Sequence, residues 1–390
     1  MLLTAASASR AQTLTGLGVL AGGAHSYATD LSADGSVVVG NADKGTLGSR
    51  AFRWTSAGGM MNLGLFGGAT YTYASRCSAN GSVVVGQGGT SQPVATSGYR
   101  WLSGSGFTTV GGTGTYAFAV SGDGSTVVGV SPFLNNTEAY RWTSGGGMVS
   151  LGSFFPGQGS VAQAVNANGS VIVGVSGLRA SRWTLAGGMT DLGVLPGGTS
   201  SSADCITPDG SVVVGACNTP AGPRLFRWTS GTGMVNLGTM PGSMFISPTG
   251  VSGDGGIIVG IVSDTAGNGQ PFLWTRTGGM RDVGAYMSSV GIDLTGWTLS
   301  SVHGISADGR TIIGSGWHFT AQFGRNEAWR ATIPAQCAAD FNGSGGISSQ
   351  DIFDFLAAWF NLDPRADFNG VNGINAQDIF NFLSAWFAGC

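Results

Sequence analysis

The sequence contains very little charge, and this limits the partners that it can have. Of its 390 residues only 9% are charged, the net charge is −3, and the single lysine is Lys44. Binding to nucleic acid or to an anionic membrane surface needs a basic patch, which this composition does not supply. No apolar run approaches the roughly 18 residues of a membrane-spanning helix. We therefore expect neither a nucleic-acid partner nor a membrane span.

Residues typical of catalysis are also scarce. The three histidines, His25, His303 and His318, occupy unequal positions with no cysteine or acidic residue at ligand spacing. Glycoside hydrolysis needs two carboxylates that face each other, and the sequence singles out no such pair. We interpret the histidines as ordinary surface or channel residues and assign no catalytic residue.

Glycine is abundant instead, with 70 residues, and much of it belongs to a repeat. The segment Ser32-Ala-Asp34-Gly35-Ser-Val-Val-Val-Gly40 has six further copies, and the turn glycines lie 41 to 54 residues apart: Gly35, Gly81, Gly124, Gly169, Gly210, Gly255 and Gly309. Seven units at this period are typical of propeller blades and too long for the rungs of a β-helix. The turn aspartates should cap their own backbone.

Each repeat can be divided into four strands. A short strand enters the Asp-Gly turn, and the valine-rich run that follows lacks alternation, as expected of a strand covered on both faces. A third strand ends in Arg-Trp, with Trp274 and Trp329 in the last two repeats, and a Gly-Gly-Met turn precedes the fourth. We expect the arginine–tryptophan pairs to lock blade to blade by stacking rather than to contact a ligand: Arg53-Trp54, Arg100-Trp101, Arg141-Trp142, Arg182-Trp183 and Arg227-Trp228.

The two ends of the repeat region complement each other. Gly16 and Gly18 mark a fourth strand with no third strand before it, and Trp329 marks a third strand with no fourth strand after it. Pairing the two would remove free sheet edges. The sequence therefore predicts an all-β seven-bladed β-propeller over residues 12–333, closed by its N-terminal strand.

One junction between repeats is irregular. Gly284 and Ile305 are 21 residues apart, whereas the equivalent distance at five other junctions is 13. The eight extra residues, in a stretch that includes Asp293 and Trp297, should leave the blade as a loop. Such loops often carry ligand sites, but we favour the hypothesis that this one covers the seam where the ring closes.

The amino-acid sequence of the repeat resembles that of the HAF-type extracellular repeats over roughly residues 16–333. Asp-Gly-Ser-Val-Val-Val-Gly, Phe-Arg-Trp-Thr and Gly-Gly-Met carry the resemblance. It implies an exported β-repeat protein and no established reaction or ligand. We favour a non-catalytic propeller that binds a glycan or a protein; the alternative is a polysaccharide hydrolase or lyase.

The last 54 residues contain one 12-residue pattern twice, at a spacing of 27. The loop from Asp340 to Asp351 has side-chain oxygens at positions 1, 3, 5 and 12, which are hard ligands of the kind that Ca²⁺ requires. The loop from Asp367 to Asp378 has Val371 at position 5 and Asn372 at position 6. We predict a small α-helical module with paired Ca²⁺ loops, of which the first binds more tightly.

Each loop is followed by a predicted helix, and the two helices have nearly the same sequence. Residues 337–390 resemble a dockerin of the variety ending in Gly-Cys that terminates secreted planctomycete proteins. The resemblance implies these Ca²⁺ ligands: Asp340, Asn342, Ser344, the Gly346 carbonyl and Asp351 in the first loop, and Asp367, Asn369, the Gly373 carbonyl and Asp378 in the second. It also implies a cohesin-like partner that contacts loop positions 10 and 11: Ser349, Gln350, Ala376 and Gln377.

The apolar faces of the two helices are wider than one core stripe. A module of about 50 residues needs large apolar groups for its own core, and we assign that role to Phe353, Leu356, Phe380 and Leu383. The aromatic residues one or two turns further on are then available to contact the partner: Trp359, Phe360, Trp386 and Phe387.

The five cysteines agree with an oxidising compartment. Cys337 and Cys390 bracket the dockerin-like module and are predicted to join its ends. Cys77 occupies a position that is apolar in the other repeats, so we interpret it as a small buried hydrophobe. Cys205 and Cys217 flank one hairpin, but its geometry sets Cys205 opposite residue 214, and the pairing stays open.

The N-terminus resembles the end of a signal peptide. Ala6-Ser7-Ala8 has the small residues of a cleavage site, although a basic region is missing. Together with the disulfide and the dockerin-like module, this predicts a secreted or surface-associated protein. The predicted organisation is a residual signal peptide (1–11), the propeller (12–333), a linker (334–336) and the calcium module (337–390).

Overall fold

The structure is a computed structural model, and it describes residues 12–91, 94–133, 136–155, 157–320, 324–334, 337, 339–341, 347–368 and 373–389. Several predictions fall outside these residues and stay predictions: the signal remnant at 1–11, linker residues 335 and 336, and the site residues Asn342, Ser344, Gly346, Asn369 and Cys390.

Seven four-stranded antiparallel sheets make up the propeller, so the predicted all-β seven-bladed architecture is confirmed. The first strand is β1 (Thr13–Gly16). Blade 1 contains β2 (Ser26–Leu31), β3 (Val37–Asp43), β4 (Ser49–Thr55) and β5 (Gly59–Asn62). Blade 2 contains β6 (Tyr71–Cys77), β7 (Val83–Ser91), β8 (Val94–Leu102) and β9 (Gly106–Thr113). Blade 3 contains β10 (Tyr116–Val120), β11 (Thr126–Phe133), β12 (Asn136–Thr143) and β13 (Gly147–Gly152).

The remaining blades follow the same order from the channel outwards. Blade 4 contains β14 (Ser160–Val165), β15 (Val171–Ser176), β16 (Arg179–Thr184) and β17 (Gly188–Gly193). Blade 5 contains β18 (Ser200–Ile206), β19 (Val213–Thr219), β20 (Gly222–Thr229) and β21 (Gly233–Gly238). Blade 6 contains β22 (Phe245–Val251), β23 (Ile257–Ser263), β24 (Gly269–Thr275) and β25 (Gly279–Asp282). Blade 7 contains β26 (Trp297–Ile305), β27 (Thr311–Phe319), β28 (Gly324–Thr332) and, outermost, β1.

The outer strand of blade 7 comes from the beginning of the chain. Thr13 lies opposite Thr332 and Gly16 opposite Trp329 in an antiparallel pair. The carboxylate of Glu327, which is 3% exposed, accepts a hydrogen bond of 2.8 Å from the N–H of Gly18. The two ends of the propeller region are therefore joined both by a strand ladder and by a buried side chain.

The Asp-Gly turn is held by the same hydrogen bonds in blade after blade. In blade 1 the N–H of Val37 donates to Ser32 Oγ (2.9 Å), the Ser32 hydroxyl donates to Asp34 Oδ1 (2.6 Å), and the N–H of Ser36 donates to the same oxygen (3.0 Å). Gly35 has a φ of +69°, which favours glycine. The prediction that these aspartates cap their own turns is confirmed.

The repeated arginines join neighbouring blades, but not in the predicted way. Arg53 Nε donates to the carbonyl of Gly81 in the next blade (2.9 Å), and Arg100 Nε donates to that of Gly124 (3.3 Å). The expected stacking is wrong for these two arginines, because the guanidinium serves as a hydrogen-bond donor to a turn carbonyl. The position between the blades was predicted correctly.

Trp329 does not occupy the position predicted for it. Arg330 aligns with Arg53, since it faces Ile313 as Arg53 faces Val39, and its Nε donates to the carbonyl of Gly35 (2.9 Å). Trp329 therefore fills the fully buried aromatic position that Phe52 fills in blade 1. The Trp-Arg order in the last repeat, reversed from Arg-Trp, produced the error in register.

The prediction that the extra residues before blade 7 leave the blade as a loop is only partly right, because the stretch contains a helix and Trp297 begins β26. Helix α1 (Val283–Ser289) begins at Asp282, whose Oδ1 accepts a hydrogen bond from the N–H of Ala285 (2.7 Å). Tyr286 and Met287 are buried in a hydrophobic cluster against which Leu14 of β1 packs. This contact with the N-terminal strand agrees with a role in covering the seam.

The C-terminal segment is helical. Helix α2 (Ser349–Phe360) is followed by a 3-10 helix (Pro364–Ala366) and by helix α3 (Ala376–Ala388). Phe355 and Phe382 stack with their ring centres 4.2 Å apart at the centre of its core. No helix in the described part of the chain is long and apolar enough to cross a membrane.

The aromatic residues of these helices are distributed differently from the prediction. Phe353 and Phe380, predicted to lie in the core, are each 63% exposed, and so are large parts of Phe360 and Phe387. Trp359 and Trp386 are anchored instead: their indole N–H groups donate to the carbonyls of Asn375 (3.1 Å) and Ser348 (3.0 Å). Each tryptophan thus ties one helix to the segment that precedes the other.

The propeller cysteines are free thiols. Cys77 is 8% exposed and packs in an apolar cluster, as predicted. Cys205 lies opposite Val214 and Cys217 opposite Ser201, and the two sulfurs belong to different clusters of the core. No bond between Cys205 and Cys217 forms.

Candidate functional site

A β-bulge interrupts the innermost strand of every blade at the same place. In blade 5, Ala203 pairs with Gly215 and Cys205 pairs with Val214, so that Asp204 between them has no partner residue. A bulge re-aims the side chain of the extra residue. All seven such residues are half-buried, and the residues on either side of each are buried except for Arg76, which is half-buried. We call them the bulge ring: Thr29, Ser75, Phe118, Gln163, Asp204, Thr249 and His303.

The glycine that ends each valine-rich run permits the bulge. A Cβ at Gly215 would lie 1.9 Å from the carbonyl oxygen of Ser202, and a Cβ at Gly40 would lie 2.1 Å from that of Tyr27. No side chain can occupy that space, because the bulged strand presses its backbone against the glycine. The Val-Val-Val-Gly motif therefore encodes the position at which one residue per blade turns into the channel.

The central channel contains two chambers. The upper chamber, about 300 Å³, is lined by the bulge ring together with Arg76, Ser247 and Pro248. The lower chamber, about 280 Å³, lies at the end where the Asp-Gly turns are. Arg76 and Thr249 line both chambers and so mark the boundary between them.

A second ring encircles the lower end. It consists of the residue before the aspartate or asparagine of each turn, and we call it the turn ring: Ala33, Ala79, Gly122, Ala167, Pro208, Gly253 and Ala307. The N–H of Ala33 donates to the carbonyl of Ala79 (2.8 Å), and that of Ala79 donates to Gly122 (2.9 Å). The N–H of Ala307 donates to Ala33 (2.8 Å), which links the last blade to the first. Small side chains permit this close approach of neighbouring turns.

Two charged residues of opposite sign meet at the boundary between the chambers. Asp30 and Arg76 belong to adjacent blades, and their Oδ1 and Nη1 atoms are 4.0 Å apart. The N–H of Cys77 donates to Asp30 Oδ2 (2.8 Å). Burial raises the pKa of Asp30 above its ordinary value, and the charge of Arg76 only partly opposes this rise. The two residues occupy the same repeat position, directly after the bulge, and that position is uncharged in the other five blades.

The upper chamber holds two further ionisable groups. Burial raises the pKa of Asp204 to about 6, although the hydroxyl of Ser202 and the charge of Arg76 act in the opposite direction. Burial, with a smaller contribution from Arg76, lowers the pKa of His303 to about 4. At neutral pH the chamber therefore contains a carboxylate, a neutral imidazole and a guanidinium.

Three exposed tyrosines stand beside the bulge ring on consecutive blades. Tyr27, Tyr73 and Tyr116 each precede the bulged residue by two positions and are 42%, 38% and 36% exposed. The ring of Tyr116 stacks with that of Phe118, with centres 6.1 Å apart. We call these three residues the tyrosine rim. Its rings provide flat apolar surface next to a chamber that is mostly polar.

The arrangement is suited to holding a compact polar ligand. The chamber volume lies at the lower end of the range for ligand sites, which is about 300–1,000 Å³. Hydroxyl, amide, carboxylate, imidazole and guanidinium groups from six blades face one lumen. Among the described residues no group of three His, Cys, Asp or Glu could hold a metal ion.

Four of the five described Ca²⁺ ligands can be located by their hydrogen bonds. Asp351 and Asp378 are fully buried, and each accepts a hydrogen bond from the backbone N–H three residues earlier, Ser348 (2.8 Å) and Asn375 (2.9 Å). The carbonyl of Gly373 accepts from Asn375 Nδ2 (2.8 Å), and that of Asp367 accepts from Arg276 (2.7 Å). Carboxylate and carbonyl oxygens are the chemistry that Ca²⁺ requires. The fifth of these ligands, Asp340, is half-buried at the first position of the first loop.

The four residues predicted to meet a partner lie on the surface. Ser349 and Gln350 begin α2, Ala376 and Gln377 begin α3, and all four are exposed. The side chain of Gln350 donates to Asp354 (2.9 Å). The prediction of a partner contact at these residues stays a prediction.

The bulge ring was missed by the sequence analysis, although the sequence carried the signal. Each ring residue lies two positions before the apolar residue that aligns from repeat to repeat, as Asp204 lies before Ile206 and His303 before Ile305. Four of the residues in this region, Asp30, Arg76, Asp204 and His303, have ionisable side chains that most of the aligned positions in the other repeats lack.

Solved structures with a similar fold belong to proteins of different kinds. An oligogalacturonate lyase from Vibrio parahaemolyticus matches with a TM-score of 0.55 at 10% identity, over 82% of this chain and 93% of that one. An oligogalacturonate lyase in complex with manganese matches with a TM-score of 0.53 at 13% identity, over 84% and 94%. A prolyl endopeptidase matches with a TM-score of 0.52 at 12% identity, over 77% of this chain and 49% of that one.

These similarities support the propeller fold alone, because identity is so low. No protein-family model matches the sequence, and no curated protein matches it. The function has to be argued from the site.

Proposed function

We propose that this protein is a secreted, non-catalytic β-propeller that binds a glycan at the upper chamber and is attached to a partner protein through its calcium-dependent C-terminal module. The observation that carries the proposal is the combination of the bulge ring with the tyrosine rim. Seven equivalent positions hold six different residue types, and they face one lumen next to three exposed aromatic rings.

A sugar presents hydroxyl groups at its edge and C–H groups on its face, and the site offers a counterpart to each. Asp204, Gln163 and Arg76 supply acceptors and donors for hydroxyl groups. Tyr27, Tyr73 and Tyr116 supply apolar surface with a polar tip. A chamber of about 300 Å³ admits one compact unit rather than a folded segment of protein. We therefore favour a glycan end over a protein ligand.

The second candidate function is cleavage of a polysaccharide, and one observation favours it. A carboxyl group with a pKa of about 6, as at Asp204, can transfer protons near neutral pH. However, Asp30 lines the lower chamber and Asp204 the upper one, with Arg76 between them. Two carboxylates separated in this way do not face a common glycosidic bond, and we therefore place binding first.

Attachment rests on the C-terminal module. Its two loops supply the proposed Ca²⁺ ligands, and their acidic ends, Asp351 and Asp378, begin α2 and α3 in equivalent ways. The exposed residues at the starts of these helices would meet a cohesin-like partner. A Cys337–Cys390 disulfide would join the ends of the module, and export from the cell would permit it to form.

Glycan binding can be tested with the full-length protein on a glycan array, followed by titration calorimetry with the best ligand. Tyr73→Ala and Asp204→Asn should each weaken binding about tenfold or more. Phe387→Ala removes an aromatic residue of α3 that is more exposed than Tyr73 and lies outside the channel, and it serves as the control. Shortened glycan products, absent with Asp204→Asn, would establish the second candidate. Equal effects of Tyr73→Ala and Phe387→Ala would contradict a site at the channel.

Calcium binding can be tested in the same full-length protein. Calorimetry after removal of divalent ions should reveal two sites, and Asp351→Asn should abolish the tighter one because it removes the position-12 carboxylate of the first loop. Asp378→Asn should affect only the weaker site. Two sites of equal affinity, or no heat on adding Ca²⁺, would contradict the proposal.

A further inference from the structure

A cavity lies between the propeller and the C-terminal module. Its volume is about 440 Å³, and residues of blades 5 and 6 face residues that follow α2 and precede α3 across it. Trp274, Val235, Leu237 and Ile374 give it a largely apolar wall. A largely apolar cavity with a few convergent polar groups is the usual form of a small-molecule site. The proposed glycan site in the channel does not include any of these residues.

The polar groups of this cavity are mainly arginines. Arg227, Arg276 and Arg365 line it, together with Asp363 and Asp367. Arg365 is neutralised by Asp363, to which it donates at 2.7 Å. Arg276 donates to the carbonyls of Asp367 and Phe368, which fixes the module to blade 6. The charges of Asp367 and Asp254 act on both Arg227 and Arg276, but burial still lowers the pKa of each guanidinium.

Arg227 is the residue that points to a ligand. It is 9% exposed, its Nε has no hydrogen-bond partner, and among the described residues it forms no ion pair. Burial, followed by repulsion from Arg276, lowers its pKa to about 10. A buried charge without a partner is costly, and an anion placed beside it would recover that cost.

We propose that the cavity between blades 5 and 6 and the C-terminal module binds a small molecule with an apolar body and one anionic group, a carboxylate, sulfonate or phosphate, which Arg227 and Arg276 contact. The apolar body would lie against Trp274 and Val235. Because the wall is shared by the propeller and the module, the ligand also holds the two together.

The proposal can be tested in the full-length protein with two matched probes. The first is the fluorescent anion 8-anilinonaphthalene-1-sulfonate, and the second is its uncharged analogue N-phenyl-1-naphthylamine. Calorimetry should give one saturable site for the sulfonate, with affinity at least tenfold higher than for the neutral probe. Arg227→Met should lower the affinity for the sulfonate about tenfold and leave that for the neutral probe unchanged.

Arg182→Met is the matched control. Arg182 occupies the same repeat position in blade 4, and its Nε also lacks a partner, but it lies outside the cavity. The substitution should leave both probes unaffected. If Arg227→Met does not fold, Val235→Trp, which fills the cavity and keeps both arginines, should abolish sulfonate binding instead.

Three results would overturn the proposal. One is equal affinity for the charged and neutral probes, which would indicate apolar contact alone. Another is an equal loss with Arg182→Met and Arg227→Met. The last is a set of several weak sites insensitive to Val235→Trp, since exposed Phe353, Phe360, Phe380 and Phe387 would then account for the signal.

Discussion

The two rings of the channel differ in what they conserve from blade to blade. The turn ring contains alanine, glycine and one proline, and its members are joined by backbone hydrogen bonds between neighbouring blades. The bulge ring, on the innermost strands that lead into these turns, contains a carboxylate, an imidazole, an amide, hydroxyls and an aromatic ring. Positions where blades meet each other are kept alike, and positions that face the lumen are free to differ. Variation at a fixed position of a rigid scaffold is where recognition is built.

We expect the largest effect on stability from a substitution of Arg76, which lies between the two rings. Arg76→Met leaves Asp30 buried without its charged neighbour, so the free energy of unfolding at pH 8 should fall by about 3 kcal/mol. The double variant Asp30→Asn/Arg76→Met should recover most of the loss. Urea denaturation of the three proteins measures this. Equal losses in the single and double variants would show that packing, not charge, is responsible.

The bulge itself should be almost as sensitive. Gly215→Ala would place a Cβ 1.9 Å from the carbonyl oxygen of Ser202. The backbone must shift to avoid this clash, and the shift should lower the free energy of unfolding by about 2 kcal/mol. Gly112→Ala, in strand β9, meets no atom within 4 Å and should cost much less. If denaturation gives the same value for both variants, the glycine is not what permits the bulge.

Two serines of blade 2 compare the Asp-Gly turn region with the bulge ring, because Ser78 directly precedes the turn-ring residue Ala79 and Ser75 belongs to the bulge ring. Ser78 Oγ is buried and accepts a hydrogen bond from the N–H of Val83 (3.0 Å), whereas Ser75 Oγ makes only a long contact of 3.4 Å with Gln87. Ser78→Ala should lower the free energy of unfolding by about 1.5 kcal/mol, because it leaves a buried donor unpaired. Ser75→Ala should stay within about 0.5 kcal/mol. A reversed order would refute the assignment of stability to the turns.

The smallest expected effect concerns Asp204 and depends on pH. Its pKa is about 6 in the folded protein and near 3.8 otherwise, so the folded state binds this proton more tightly. The contribution of Asp204 to stability is present below pH 4 and is lost as the pH rises to about 6. Asp204→Asn should therefore stabilise the protein by roughly 1 kcal/mol at pH 8, after allowance for partial exposure, and hardly at pH 4.

Thermal unfolding at the two pH values measures this difference, and Asp264→Asn is its control. Hydrogen bonds from Asn268 hold the pKa of the exposed Asp264 below its ordinary value. Its contribution has the opposite sign, since it is present above the unfolded pKa and lost on acidification. A stabilisation by Asp204→Asn that is the same at both pH values would contradict the assigned titration.

What the sequence predicted well is what the repeats share. The turn at Asp34, the position of Arg53 between blades and the burial of Cys77 all follow from positions that recur in the seven units, because the same contacts recur with them. The blade count follows from the spacing of the turn glycines alone.

What the sequence did not reveal depends on contacts that no single repeat contains. Asp30 and Arg76 are neighbours only because blades 1 and 2 are adjacent. Trp359 donates to a carbonyl 16 residues away, and Leu14, from the other end of the propeller, packs against the cluster that contains the buried residues of α1. Two signals were nonetheless available: the constant offset of the bulge ring, and the Trp-Arg inversion at Trp329.

Pro208 gives the propeller a preferred place to come apart. It accepts a hydrogen bond from the N–H of Ala167 (2.9 Å), but a proline has no N–H to pass on to blade 6, so the circle of turn-to-turn bonds ends there. The C-terminal module lies against the same two blades and is fastened to blade 6 by Arg276. Tension applied through the C-terminal module would therefore first reach the one pair of neighbouring blades that lacks this turn-to-turn bond.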